Sequence, residues 1–249
     1  TDHNNGKVLA AAVKLDAVAA VEARADGIIC VNSQGYAPLT VDTADLSVID
    51  SEKGTSLALI RGVCARFNEL GYKYGGFNAC VTSDVLSGSG LSSSAAYEVL
   101  IGTILNYIYN DGKISAVEIA QISQYAENVY FDKPCGLMDQ TACSVGGFVK
   151  IDFEDTKNPV IDKVDFDIAK HGYNLCIVDT GGDHSDLTDE YAAVRGEMEA
   201  VAAKFGKSVL RDVDRAEFEN NISVIRDVAG DRAVLRAMHF YNENIRVKK

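Results

Sequence analysis

Apolar positions change period several times along the chain, and each change marks an element. Lys7-Val8-Leu9-Ala10-Ala11-Ala12-Val13, Ala17 to Val21 and Gly27 to Val31 are short apolar or β-branched runs that read as strands, and together they predict a β-meander. From Ser56 to Leu70, the residues Leu57, Ile60, Val63, Cys64 and Phe67 fall at spacings of three and four, and Gly71 follows as a stop, so a helix is predicted. Gly76 to Val85 alternates as a strand and runs into a glycine- and serine-rich loop. Beyond the loop, Leu100, Ile104, Leu105 and Ile108 form a helical stripe that ends at Asp111-Gly112.

Ser115 and Glu118 make a capping box for a further helix that carries Ile119, Ile122, Ala126 and Val129 on one face to about Tyr130. A loop to Gly136, a short helix from Leu137 to about Val145, a turn at Gly146-Gly147 and an alternating strand from Phe148 to Phe153 follow. Glu154 to Gly172 is polar and is expected to hold a domain boundary, giving domains 1–168 and 169–249. Tyr173 to Thr180 reads as a buried strand. Leu187, Tyr191, Val194, Met198 and Val201 form a helical stripe stopped by Gly206, with helices expected to the end.

The 249 residues, 47% of them hydrophobic and 24% charged, suit a globular chain with a large core. A formal net charge of −12 would repel a phosphate backbone, so no nucleic-acid partner is expected. Val8 to Val21 is too short, and too interrupted by Lys14 and Asp16, to span a bilayer, so no membrane association is expected either. The six cysteines form no CxxC pair, and several sit in apolar runs such as Leu175-Cys176-Ile177-Val178. They read as reduced, buried thiols, with a cytoplasmic address as the default.

The loop between strand and helix carries the strongest chemical signal, because small residues let backbone amides approach an anion that a helix N-terminus already favours. Neither common phosphate motif fits: Val201 stands where a Walker loop ending at Gly206-Lys207-Ser208 needs its first glycine, and Ser93 holds the third glycine position of a dinucleotide pattern begun by Gly88 and Gly90. A helix-capping linker is the plainer alternative. Asp139 lies in the first turn of a short helix, where the dipole favours negative charge, and reads as either a stabilising or a catalytic acid. Glu127 falls on the polar side of a helix end, where an acid opposes the dipole, or simply on a solvated face. The four histidines, His184 among them, show no zinc spacing, and Tyr191 on an apolar stripe has core packing as its default role.

Ser87-Gly88-Ser89-Gly90-Leu91-Ser92-Ser93-Ser94-Ala95-Ala96 resembles the second motif of the GHMP small-molecule kinases. Cys135-Gly136-Leu137-Met138-Asp139-Gln140, Thr1-Asp2-His3-Asn4-Asn5-Gly6, and Val178-Asp179-Thr180 with Glu190-Tyr191 and Arg195 resemble the galactokinase branch. The resemblance implies a two-domain α+β fold with the active site in the cleft between the domains. It implies ATP-dependent phosphorylation of a sugar, galactose at its anomeric hydroxyl first, with another sugar or a non-catalytic sugar and ATP sensor as alternatives.

By the same resemblance, Asp139 matches the catalytic aspartate, and Asp2, Gly136, Asp139 and Tyr191 match sugar contacts. Gly88, Ser89, Gly90, Leu91, Ser92, Ser93 and Ser94 match the loop around the ATP phosphates, and Ser94 and Glu127 match ligands of Mg²⁺. No obligate protein partner is implied. Leu86 stands where the family's second motif carries proline, and Gly196 where a second arginine is usual. The chain is expected to be part of a longer protein, with residues before Thr1 and after Lys249 completing the sugar site and the second domain.

Overall fold

The computed structural model describes residues 2–85, 90–178 and 188–248, of which 188, 189 and 191 by backbone alone. Contacts gather the described chain into two compact units, one of residues 2–11, 147–178 and 188–248 and one of residues 12–146. They do not divide it once near residue 168, because the first strand packs with the later part of the chain.

The unit of residues 12–146 holds a four-stranded sheet in the order β2-β5-β3-β4, made of β2 (Ala17–Arg24), β3 (Ile28–Ser33), β4 (Leu39–Asp42) and β5 (Gly76–Ser83). β5 is antiparallel to β2 and parallel to β3, with Val31 opposite Ala79. A parallel pair needs a crossover, which β4 and α1 (Ser56–Glu69) supply. The expected meander is therefore corrected: β5 separates β2 from β3, and β1 (Lys7–Ala11) joins the other unit. Alternation marks a strand but carries no record of its neighbours, and β5 takes the centre with Phe77, Ala79 and Val81 buried.

Helices α1, α2 (Ser93–Tyr109) and α3 (Ala116–Tyr125) build the core with this sheet. Ile60, Val63, Cys64 and Phe67 of the predicted α1 stripe are fully buried, beside Ile101 and Leu105 of α2 and Ile119 and Ile122 of α3. Each such side chain is worth roughly 1.5–3 kcal/mol of transfer free energy before entropy is counted. The Ser115–Glu118 capping box forms as read, and α4 (Met138–Val145) completes the unit.

After α3 the backbone widens into one π turn, Ala126–Tyr130, which lies against α1. Gly62 permits the approach, since a Cβ there would stand 2.8 Å from the Ala126 Cα. Gly62→Ala is therefore expected to destabilise the fold by about 1–3 kcal/mol, read as a lower urea midpoint at unchanged slope. An unchanged midpoint would mean that the two segments part freely.

The other unit has the antiparallel sheet β1-β6-β7, with β6 Phe148–Asp152 and β7 Val160–Val164. Its helices are α5 (Thr188–Ala203), α6 (Arg215–Asn220) and α7 (Ile222–Arg246), and Met198, Val201, Leu210, Phe218, Ala237 and Phe240 form its core. The buried Asn4 side chain ties the first residues in, accepting from the Leu210 amide at 2.9 Å.

Two readings of this region are corrected. The polar stretch after Glu154 contains β7, and the buried strand expected over Tyr173 to Thr180, of which 179 and 180 lie outside the described residues, does not form over Tyr173 to Val178: Tyr173, Leu175, Ile177 and Val178 are exposed, Val178 by 78%. An apolar run becomes a strand only against a neighbour that completes its hydrogen bonds, and among the described residues none pairs with it. Cys176 is exposed for the same reason. Cys80 on β5 and Cys143 on α4 are exposed as well; all six thiols are free, but only Cys64 is buried, where desolvation pushes its thiol up to about 12. Among the described residues, no helix is long and apolar enough to cross a membrane.

Candidate functional site

The described part of the phosphate-type loop begins at Gly90, whose φ of +77° is a glycine conformation; Gly88 and Ser89 lie outside the described residues. Leu91 leads to Ser92, the residue before α2, which is also left-handed (φ 60°). Ser92 does not cap the helix. Its hydroxyl is donated instead to Asp139 Oδ2, so the Ser92 side chain leaves the first-turn amides of α2, which begins at Ser93, uncapped. Backbone amides at such a helix start, with the dipole behind them, suit an anion such as a phosphate.

Asp139 sits in the first turn of α4, as the sequence suggested. The loop before it is strapped down, because the Cys135 amide donates to Asn128 Oδ1 at 2.7 Å and Gln124 Nε2 donates to the Cys135 carbonyl at 3.3 Å. These bonds hold Gly136, half-buried, next to α4.

Ser94 and Glu127, separated by 33 positions, are in contact: the Ser94 hydroxyl donates to Glu127 Oε1 at 2.8 Å. Glu127 is not on a polar face as read, but is 2% exposed in the π turn. It follows the buried Ala120 and Ser123 by seven and four residues, so it lies on the same buried helix face as they do. Lys133 Nζ lies 3.0 Å from Glu127 Oε1, and Gln140 Nε2 donates to Oε2 at 2.7 Å.

The start of α2 thus faces two acids, Asp139 through Ser92 and Glu127 through Ser94. Among the described residues no cluster of three or more His, Cys, Asp and Glu could hold a metal. The hydroxyl and carboxylate of Ser94 and Glu127 are nonetheless hard oxygen donors in mutual contact, and they fit Mg²⁺, which takes few protein oxygens and completes its shell with water and phosphate. Asp2 and Tyr191 belong to the other unit. Asp2 opens a short helical turn, Asp2–Asn4, and its Oδ1 accepts from the His3 amide at 2.9 Å; Tyr191 lies in α5, described by its backbone.

Glu98, Lys133 and Gln140 escaped the sequence reading. Glu98 is fully buried on α2, where desolvation first and the neighbouring Glu127 second push its carboxyl up to about 9. An acid three and seven residues before Ile101 and Leu105, with no basic residue one turn away, was the available signal. A raised pKa in the fold means that the native state holds the proton more tightly than the unfolded chain. The contribution to stability is full below pH about 4.5 and is lost as pH rises through about 9. Glu98→Gln is accordingly expected to flatten the fall in stability over that window. Melting curves at pH 5, 7 and 9 check it, and an undiminished slope in the variant would place the titration elsewhere.

Residues 58–147 match the N-terminal domain of the GHMP kinases. Over its whole length the chain is 36% identical to a galactokinase of Streptomyces coelicolor and 31% identical to one of Clostridium tetani, and it spans 64% and 63% of those two relatives. The crystal structure of Lactococcus lactis galactokinase complexed with galactose is similar over the whole chain and 64% of its own, with a TM-score of 0.78 at 22% identity. Methanococcus jannaschii mevalonate kinase is similar over 98% of the chain and 75% of its own, with a TM-score of 0.56 at 12% identity. Likenesses this distant in sequence show the fold, which is the α+β GHMP kinase fold.

Proposed function

We propose that this chain, which belongs to the GHMP kinase family and is galactokinase-like, supplies the phosphate cradle and catalytic acid of an ATP-dependent kinase acting on the anomeric hydroxyl of galactose. The observation that carries the reading is the hydrogen bond from Ser92 to Asp139, which sets an acid beside the amides that begin α2. Phosphoryl transfer asks a protein for positioning and charge neutralisation more than for covalent help. The first-turn amides of α2 would take phosphate oxygens of ATP, with Gly88 to Ser94 as the surrounding loop. Asp139 would orient the sugar hydroxyl and accept its proton or stabilise it as it departs. Gly136, Asp2 and Tyr191 would contact the sugar. Ser94 and Glu127 would hold Mg²⁺, which when bound offsets charge on the phosphates.

The test is ADP release by the whole protein across galactose, arabinose, a uronic acid and an N-acetylated hexosamine. Turnover highest with galactose is expected. Preference for another sugar would overturn the substrate, and tight sugar binding without ADP release would replace the enzyme with a sensor.

A further inference from the structure

Glu98 follows Ser94 by four residues on α2 and so lies on the same helix face, one turn further in. Its Oε2 accepts from Gln140 Nε2 at 3.3 Å, while the same nitrogen donates to Glu127 Oε2 at 2.7 Å. A carboxamide nitrogen has two hydrogens, and here they face two carboxyl oxygens, with Cys135 Sγ as a longer contact at 3.6 Å. Gln140 is fully buried and adjoins Asp139, and the remaining oxygens, Glu98 Oε1 and Gln140 Oε1, are buried without a hydrogen-bond partner among the described residues. A leucine would fill the place of Glu98 but would take an acceptor from the buried Gln140 carboxamide. What the carboxyl adds is an anchor for Gln140.

We propose that Glu98 is a positioning residue: through the Gln140 carboxamide it holds the Glu127 carboxylate with Oε1 turned to Ser94. The inference rests on the reading of Ser94 and Glu127 as ligands of Mg²⁺. The Glu98 carboxyl acts through Gln140, so its effect is on the aim of Glu127, as with other residues that orient a metal ligand from behind.

The experiment is calorimetric binding of a non-hydrolysable ATP analogue to the whole protein, with Mg²⁺ and with the metal chelated. The readout is the ratio of the two affinities. Glu98→Leu is expected to cut that ratio about tenfold, and Glu98→Gln, which still offers Gln140 an acceptor, to keep it within about twofold of wild type. Gln140→Met severs the same link from the other side and is expected to match Glu98→Leu, so the inference stays open to refutation if Glu98→Leu does not fold. A folded Glu98→Leu or Gln140→Met protein with an unchanged ratio overturns it. Ser94→Ala separates the two ways of failing: if it lowers the ratio while those variants do not, the positioning role falls alone, and if it has no effect, the metal reading falls first.

Discussion

Asp139→Asn is expected to lower turnover by on the order of a hundredfold or more, with sugar affinity and melting temperature close to wild type. Asparagine has the shape of aspartate, and its carbonyl oxygen still accepts the Ser92 hydroxyl, so the tie between α2 and α4 persists. What disappears is the negative charge and the capacity to take a proton from a sugar hydroxyl. The N-terminal dipole of α4 loses a favourable charge worth about 0.3–1 kcal/mol, too little to unfold the unit. Steady-state turnover alongside calorimetric sugar binding checks the split. Near-normal turnover would remove Asp139 from the chemistry, and loss of sugar binding with turnover would make it a binding residue only.

The second large effect is expected at the other serine. Ser94→Ala and Glu127→Gln should each raise the Mg²⁺ concentration for half-maximal activity by on the order of tenfold or more, because the first removes one of the two oxygen donors assigned to one ion and the second removes the negative charge of the other. Glu127→Gln also leaves Lys133 without its carboxylate partner at 3.0 Å, so it is expected to cost some stability, whereas Ser94→Ala removes a hydroxyl alone. Running the metal titration well below both melting temperatures keeps the effects apart. Wild-type metal dependence in Ser94→Ala would remove the hydroxyl from the proposed metal site.

Much of the fold was legible where periodicity and punctuation agreed. The α1 stripe with Gly71 behind it, the Ser115 capping box and the short helix bearing Asp139 are local signals, and local signals survive in the structure. Pairing was not legible. β2 and β3 alternate like hairpin strands, yet β5, more than forty residues later, runs between them, because the register of a sheet is decided by the crossover and the shared core. Tyr173 to Val178 has the composition of a strand without the pairing of one.

At the candidate site, the sequence marked Asp139, Ser94 and Glu127 but not what joins them. The close approach of the π turn to α1 depends on Gly62 in a different helix, a dependence that no spacing within residues 115–130 encodes. Glu98 was hidden for a related reason: an acid in an apolar stripe looks like a lapse in the pattern until its partner, Gln140 on α4, is placed beside it. Where a local pattern breaks without a local compensation, the compensation is tertiary.

The most direct test is phosphorus-31 NMR of the whole protein incubated with ATP, Mg²⁺ and galactose. The expected result is a sugar phosphate signal growing in step with ADP and coupled to the anomeric proton, the mark of phosphate on the anomeric oxygen. Phosphate on another hydroxyl, or ATP left intact while galactose is bound, would contradict the assignment of Asp139 and the α2 cradle to anomeric phosphoryl transfer.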